Sequence, residues 1–307
     1  MQENDFIQTI TRRFAASSPV VTGIGDDGAV ISAAAQKSII VVTDMLLDGT
    51  HFRLTEIDPR LAGRKAMAVN LSDLAAMAAR PTAAFVSLAI PADQSRRDPD
   101  FLKRLYDGFE EMTREYQFSL AGGDTNTWNG PFAVNVCLLG APMADTIPLR
   151  SGAKPGDLLF VTGPLGGSLH HQRHLLFQPR FDAAAWLMQH TQVSALMDIS
   201  DGLAMDLSRM MTASGTRAVL NAAEIPIHND VPHHLPHNAR LSAALSDGED
   251  FELLIAVPPQ YADLLHQAPA PLCFHHVGMV APGQGLQLRT PSGDIIPLEP
   301  QGWQHEV

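Results

Sequence analysis

The chain has 307 residues, 45% of them hydrophobic and 18% charged, and its 33 Asp plus Glu outnumber 21 Lys plus Arg for a net charge of −12. That length suits about two domains of roughly 150 residues each, and the apolar fraction excludes intrinsic disorder. The acidic balance excludes nucleic acid as a partner, because neutralising phosphates needs a basic face, and no run approaches the roughly eighteen apolar residues of a membrane span.

Residues 5–16 carry Phe6, Ile7, Ile10 and Phe14 at helical spacing and predict a first helix; the opening MQEND has acids where a secretory signal needs bases. Strand patterns follow over 29–32, 38–43, 83–90 and 131–139, with helical stretches over 59–79 and 99–116 between them. The order β-β-α-β-α-β with short connections predicts an α/β layer of the α+β type, with helices on one face. RSGAKPGD, residues 150–157, reads as a linker, so two α/β domains are expected at 1–149 and 150–307. In the second, strands are predicted over 158–162, 217–221, 251–257 and 276–280, and helices over 181–190, 202–214 and 259–267. Residues 226–236, rich in His and Pro, read as a surface loop. Cys137 and Cys273 lie far apart in apolar runs and read as buried free thiols of a reducing, cytoplasmic compartment.

The aspartates fall where these elements end. Asp26 and Asp27 sit in GIGDDG before a strand, Asp44 closes the next strand, and Asp73 lies within the helical AVNLSDLAAMAA. Asp124 belongs to AGGDT, read as a glycine-rich turn, Asp198 and Asp201 to DISDG, and Asp247, Glu249 and Asp250 to DGED. Unpaired carboxylates beside apolar surface are costly, so this many of them ask for a cation. An all-oxygen set without cysteine suits a hard ion, and Mg²⁺ takes a few carboxylates plus substrate phosphates. Glycines beside the acids let backbone N–H groups approach a phosphate. With no lysine adjacent to them, the pattern describes a site that holds a nucleotide through metal.

Each acid also has a plainer reading. Asp26 and Asp27 suit a turn, Asp201 suits a helix N-cap worth about 1 kcal/mol, and Asp250 with Glu252 suits a solvated strand face. Asp73 fits no such role, since aspartate has poor propensity in a helix interior. Gly23, Gly25 and Gly28 spell G-x-G-x-x-G with Asp48 beyond, but a strand rather than a helix follows, against a dinucleotide fingerprint. The groups His170, His171, His174 and His233, His234, His237 lack an H-E-x-x-H pattern and read as exposed loop histidines. P-loop, protein-kinase and α/β-hydrolase signatures do not occur.

GIGDDGAV, VTDMLLDGTHF, KAMAVNLSDLAAMAARP, AGGDT, LRSGAKPGDLLFVTG, DISDGL and DGEDFELL follow one another over roughly residues 20–255. In this order they resemble the thiamine-monophosphate kinases, of the superfamily that includes aminoimidazole ribonucleotide synthetase and selenophosphate synthetase. The resemblance implies a two-domain fold whose N-terminal sheet pairs across a homodimer. It also implies ATP as co-substrate, several Mg²⁺ ions, and thiamine phosphate as acceptor of the γ-phosphoryl group. By matching motif positions, Asp27, Asp44, Asp73, Asp124, Asp198 and Asp201 would hold magnesium, with Thr43 adding a ligand. Gly123, Asp124, Arg150 and Ser200 would contact ATP; His51, Glu249 and Trp303 would bind thiamine phosphate. No nucleophile or general base is implied. The segment GPLGGSLHHQRHLLFQPR departs from the family's pattern: it is short, and Phe177 stands where a proline is expected. That departure leaves open a related ATP-using enzyme with another acceptor, or a non-catalytic nucleotide- or metal-binding homologue.

Overall fold

The computed structural model describes residues 20–22, 26–32 and 38–304; the helix expected over 5–16 lies outside them, as do Gly23 and Gly25. Six strands form a first sheet in the order β1 (Val20–Thr22), β2 (Ala29–Ser32), β3 (Ser38–Leu47), β6 (Ala133–Pro142), β4 (Ala79–Pro91), β5 (Ser119–Trp128). Neighbours run antiparallel except β4 and β5. Along β3, Ile40, Val42 and Leu46 are buried while Thr43, Met45 and Leu47 are exposed, the period of two that separates a covered face from an open one.

Helix α1 (Pro59–Ala76) lies on the covered face against β3, β4 and β6. Pro59 opens it, and the Asp58 carboxylate accepts from the Arg60 N–H at 2.8 Å. Its small residues let a second helix, α2 (Phe101–Glu115), come close. A Cβ on Gly63 would stand 2.2 Å from the Leu105 carbonyl oxygen, and one on Gly108 2.1 Å from that of Arg60. The helix stops at Ala76, short of the expected 79, because Ala78 turns to φ 46° and β4 begins at Ala79.

The second sheet has seven strands in the order β13 (Ile295–Leu298), β12 (Gly285–Arg289), β9 (Arg217–Asn221), β11 (His275–Ala281), β7 (Leu158–Val161), β10 (Glu252–Val257), β8 (Ala195–Ile199). All pairs are antiparallel except β9 with β12. Leu159, Val161, Leu254 and Ala256 face helices α5 (Leu203–Ser214) and α6 (His237–Ser246). On the other side Phe160, Leu253 and Ile255 pack with α4 (Phe181–His190) and α7 (Ala262–His266). The short α3 (Arg173–Leu176) and the edge strand β8 both lean on α1, joining the two sheets.

Several expectations need correction. AGGDT is not a turn but part of β5, an exposed edge strand whose glycines and polar residues hide any alternation. Asp198 lies within a full strand, β8, and the sequence predicts no element at α6, β12 or β13. Cys137 is half-buried and Cys273 exposed, so neither is a core thiol. Among the described residues no helix is long and apolar enough to cross a membrane.

Candidate functional site

Three carboxylates from distant segments meet where α1 touches β8. Asp27 comes from the turn before β2, Asp73 from the last turns of α1 and Asp198 from β8, and one oxygen from each lies within 4.8 Å of the others. Ser72 donates to Asp198 Oδ2 at 2.6 Å, which fixes β8 against the helix. Asp27 takes Arg150 Nη2 on Oδ1 at 2.7 Å, while its Oδ2 is buried without a hydrogen-bond partner. Asp44 joins from β3 through a hydrogen bond with Asp73.

The electrostatics of this cluster are unfavourable without a cation. Burial pushes Asp44 up to about 6, helped by the charges of Asp27, Asp201 and Glu249 and opposed by the Asp73 hydrogen bond. Burial likewise lifts Asp73 well above the usual carboxylate range, with Asp44 and Asp198 adding to it, and lifts Asp198, with Asp27 adding most. An orphaned buried oxygen, an all-oxygen donor set and carboxylates driven towards protonation fit a hard divalent ion.

Beside the cluster opens a cavity of about 280 Å³. Nine of the residues named from the sequence line it: Asp44, His51, Asp73, Asp198, Ser200, Asp201, Asp247, Glu249 and Trp303. The others stand apart from its lining. Asp27 and Arg150 pair with each other, and the Arg150 backbone N–H also reaches Asp26 at 3.3 Å. Register separates the rest: Asp44, Val136, Val86 and Gly123 form one cross-strand row, while Met45, Asn135, Ser87 and Asp124 form the next. Adjacent rows point to opposite faces, so Asp124 is on the open face, where Asn126 donates to it at 2.7 Å. Thr43 is on that open face too: its hydroxyl donates to the Val136 carbonyl at 3.1 Å and accepts from Asn135, so it is not brought to Asp44. Gly123 lies so close to β4 that a Cβ there would be 1.8 Å from the Val86 carbonyl oxygen.

The loop over residues 247–251 forms the far wall in a strained conformation, with Glu249 at φ 58° and Phe251 at φ 53°. Each such non-glycine residue costs roughly 1–3 kcal/mol and persists only where its surroundings hold it. Here Glu249 donates its N–H to Ser200 O at 2.6 Å, Ser168 Oγ donates to Glu249 O at 2.6 Å, and Phe251 N–H reaches Ile199 O at 2.8 Å. Phe251 stacks on Phe177 with centroids 4.0 Å apart, which accounts for the aromatic residue in the departing segment.

Three plainer readings from the sequence fail here. Asp250 and Glu252 are buried, not solvated: Asp250 pairs with Arg173 and the Gly166 N–H, Glu252 with Arg180 and Thr162. The N-cap of α5 is Gly202 rather than Asp201, and Asp206 accepts from the N–H groups of Ser200 and Asp201. Arg209 holds both Asp201 and Asp206. His170 and His171 are exposed as expected, but His174 is buried.

Sequence reasoning missed Lys65, which is wholly buried and pairs with Glu249 and His174. Lys65, Val69 and Asp73 fall on one helix stripe at i, i+4, i+8, and that spacing was the available signal.

Comparisons with known proteins cover most of the chain. Residues 25–141 match the N-terminal domain, and 154–290 the C-terminal domain, of the AIR synthase related proteins. A thiamine-monophosphate kinase of Rhodopirellula baltica is 39% identical over 99% of this chain and 97% of its own. One from Bacillus subtilis is 35% identical over 99% of both. Among solved structures, AaThiL complexed with AMPPCP and TMP superposes with a TM-score of 0.84 at 28% identity, over 99% of this chain and 97% of that one.

Proposed function

Because the chain belongs to the thiamine-monophosphate kinases of the AIR synthase related family, we propose that it transfers the γ-phosphoryl group of ATP to thiamine phosphate, giving thiamine diphosphate. The observation that carries this reading is the cluster of buried Asp27 and Asp198 with half-buried Asp73 and Asp44, opening into a cavity that also holds Glu249.

Asp27, Asp44, Asp73 and Asp198 would hold Mg²⁺, with Asp201 and Asp124 as further candidates. When bound, Mg²⁺ neutralises the phosphate oxygens of donor and acceptor and lets the two anions approach in line. The chain's own work is positioning. Ser200, Gly123, Asp124 and Arg150 are proposed to orient ATP. Glu249 offers a carboxylate to the cationic ring of the acceptor, and His51 and Trp303 border the same cavity. A phosphate monoester has its second pKa at about 6 and is already anionic near neutral pH, so no side chain needs to remove a proton.

The same reading takes residues 1–149 and 150–307 as the two domains and two copies as the working unit. The open face of the first sheet supports the second point, since it exposes Met45, Phe85 and Trp128. A cytoplasmic setting, where ATP and Mg²⁺ are at hand, completes the proposal. The test is ADP release from ATP and Mg²⁺ with and without thiamine phosphate, products identified by mass. Thiamine diphosphate formed in step with ADP supports the reading; ADP without it points to another acceptor.

A further inference from the structure

Lys65 lies on α1 with no exposed surface, and its ammonium group has three partners. It reaches the His51 carbonyl oxygen at 2.8 Å, His174 Nδ1 at 2.8 Å and Glu249 Oε2. An ammonium has three N–H donors and no lone pair, so all three contacts are donations. His174 therefore presents a bare Nδ1 and carries its ring proton on Nε2. The three acceptors come from three separate segments: the loop after β3, the short α3, and the strained loop over 247–251.

The carboxylates around the cavity divide by their partners. Asp44, Asp73 and Asp198 pair with no basic side chain among the described residues. Asp201 is held by Arg209, and Glu249 by Lys65. Glu249 nonetheless lies close enough for its charge to act on Asp44. An unpaired buried carboxylate so near a divalent site would be drawn to the ion, whereas one fixed through Oε2 keeps its charge and direction. Its Oε1 takes no hydrogen bond among the described residues and is the oxygen left for a ligand.

We propose that Lys65 is a positioning residue for acceptor specificity: by tying His51, His174 and Glu249 together, it reserves Glu249 for the cationic ring and withholds it from the metal-binding aspartates. This rests on the kinase reading above. It also gives the departing segment a role, because His174 brings that segment to the ammonium. Arg64, the preceding residue, secures the same segment through the carbonyls of Leu175 and Phe177, both at 2.9 Å.

The experiment measures KM for thiamine phosphate and for ATP, in the full chain with Mg²⁺, for wild type and Lys65→Met. A parallel assay uses phosphorylated hydroxyethylthiazole, which carries the phosphate on an uncharged ring. Expected for Lys65→Met is a KM for thiamine phosphate raised at least tenfold, a KM for ATP within twofold, and reduced preference for the charged ring. Equal shifts in both KM values, or a fall in kcat alone, would overturn the proposal. If Lys65→Met does not fold, His174→Gln and His174→Leu decide. The glutamine oxygen can accept from Lys65 and should keep the KM for thiamine phosphate near normal, whereas leucine should raise it at least fivefold; identical behaviour of the two overturns the proposal. Wild-type protein that forms no thiamine diphosphate refutes the kinase reading itself, whereas wild-type turnover with unresponsive variants refutes only the role of Lys65.

Discussion

Asp44→Asn separates the cost of the carboxylate cluster from its use. In the ion-free protein Asp44 stands at about 6 instead of 3.8, chiefly through burial. A raised carboxylate pKa means that the folded state binds the proton more tightly than the unfolded chain. The charge therefore costs stability above pH 6, and the cost fades as pH falls through 6 towards 3.8. A shift of 3.8 to about 6 corresponds to about 3 kcal/mol at pH 7.5 and roughly half of that at pH 5. Asparagine keeps the shape and removes the charge. EDTA-treated Asp44→Asn is thus expected to exceed wild type in stability by up to about 3 kcal/mol at pH 7.5, with the gap roughly halved at pH 5. The assay is urea unfolding at both pH values, with and without Mg²⁺ and an ATP analogue. Wild type should gain stability on adding them and the variant should gain little, while turnover falls on the order of a hundredfold or more. A variant less stable than wild type in EDTA, or a gap indifferent to pH, would refute the reasoning.

Asp124→Asn tests a carboxylate in the opposite setting. Exposed on β5 and bonded among the described residues to Asn126, it should change stability by less than about 0.5 kcal/mol in the same unfolding assay, yet lower turnover strongly through its proposed contact with ATP. Arg173→Met removes the charge beside Asp250, a group that burial pushes to about 7. Because Asp250 keeps its proton below pH 7 with or without the arginine, the loss of melting temperature should be larger at pH 8.5 than at pH 6. Phe85→Glu places a charge on the open face of the first sheet and should shift the light-scattering mass from dimer towards monomer, without loss of secondary structure by circular dichroism.

Much of the architecture was legible along the chain. Strands β2 and β9 and helix α4 fall where their apolar runs and the punctuation around them put them. Strand β5 was not legible: an edge strand needs no alternating apolar face, and its glycines read as a turn. The chemistry of the site was legible as a kind, since aspartates beside glycines at element ends without cysteine point to a hard cation and phosphate whatever their arrangement.

Which of those aspartates meet was decided only in three dimensions. Ser72 and Asp198 are 126 positions apart, and Lys65 and Glu249 are 184 apart, so no local pattern records their contact. Asp250 and Glu252 look like a solvated strand edge until Arg173 and Arg180 arrive from another segment to neutralise them. Thr43 and Asp44 are neighbours in the chain, yet a strand turns consecutive side chains to opposite faces, and only Asp44 faces the cluster. The sequence by itself determined most of the elements, the acidic oxygen donors and the family. The tertiary structure decided which donors converge, because convergence depends on sheet register and on charges brought from distant segments.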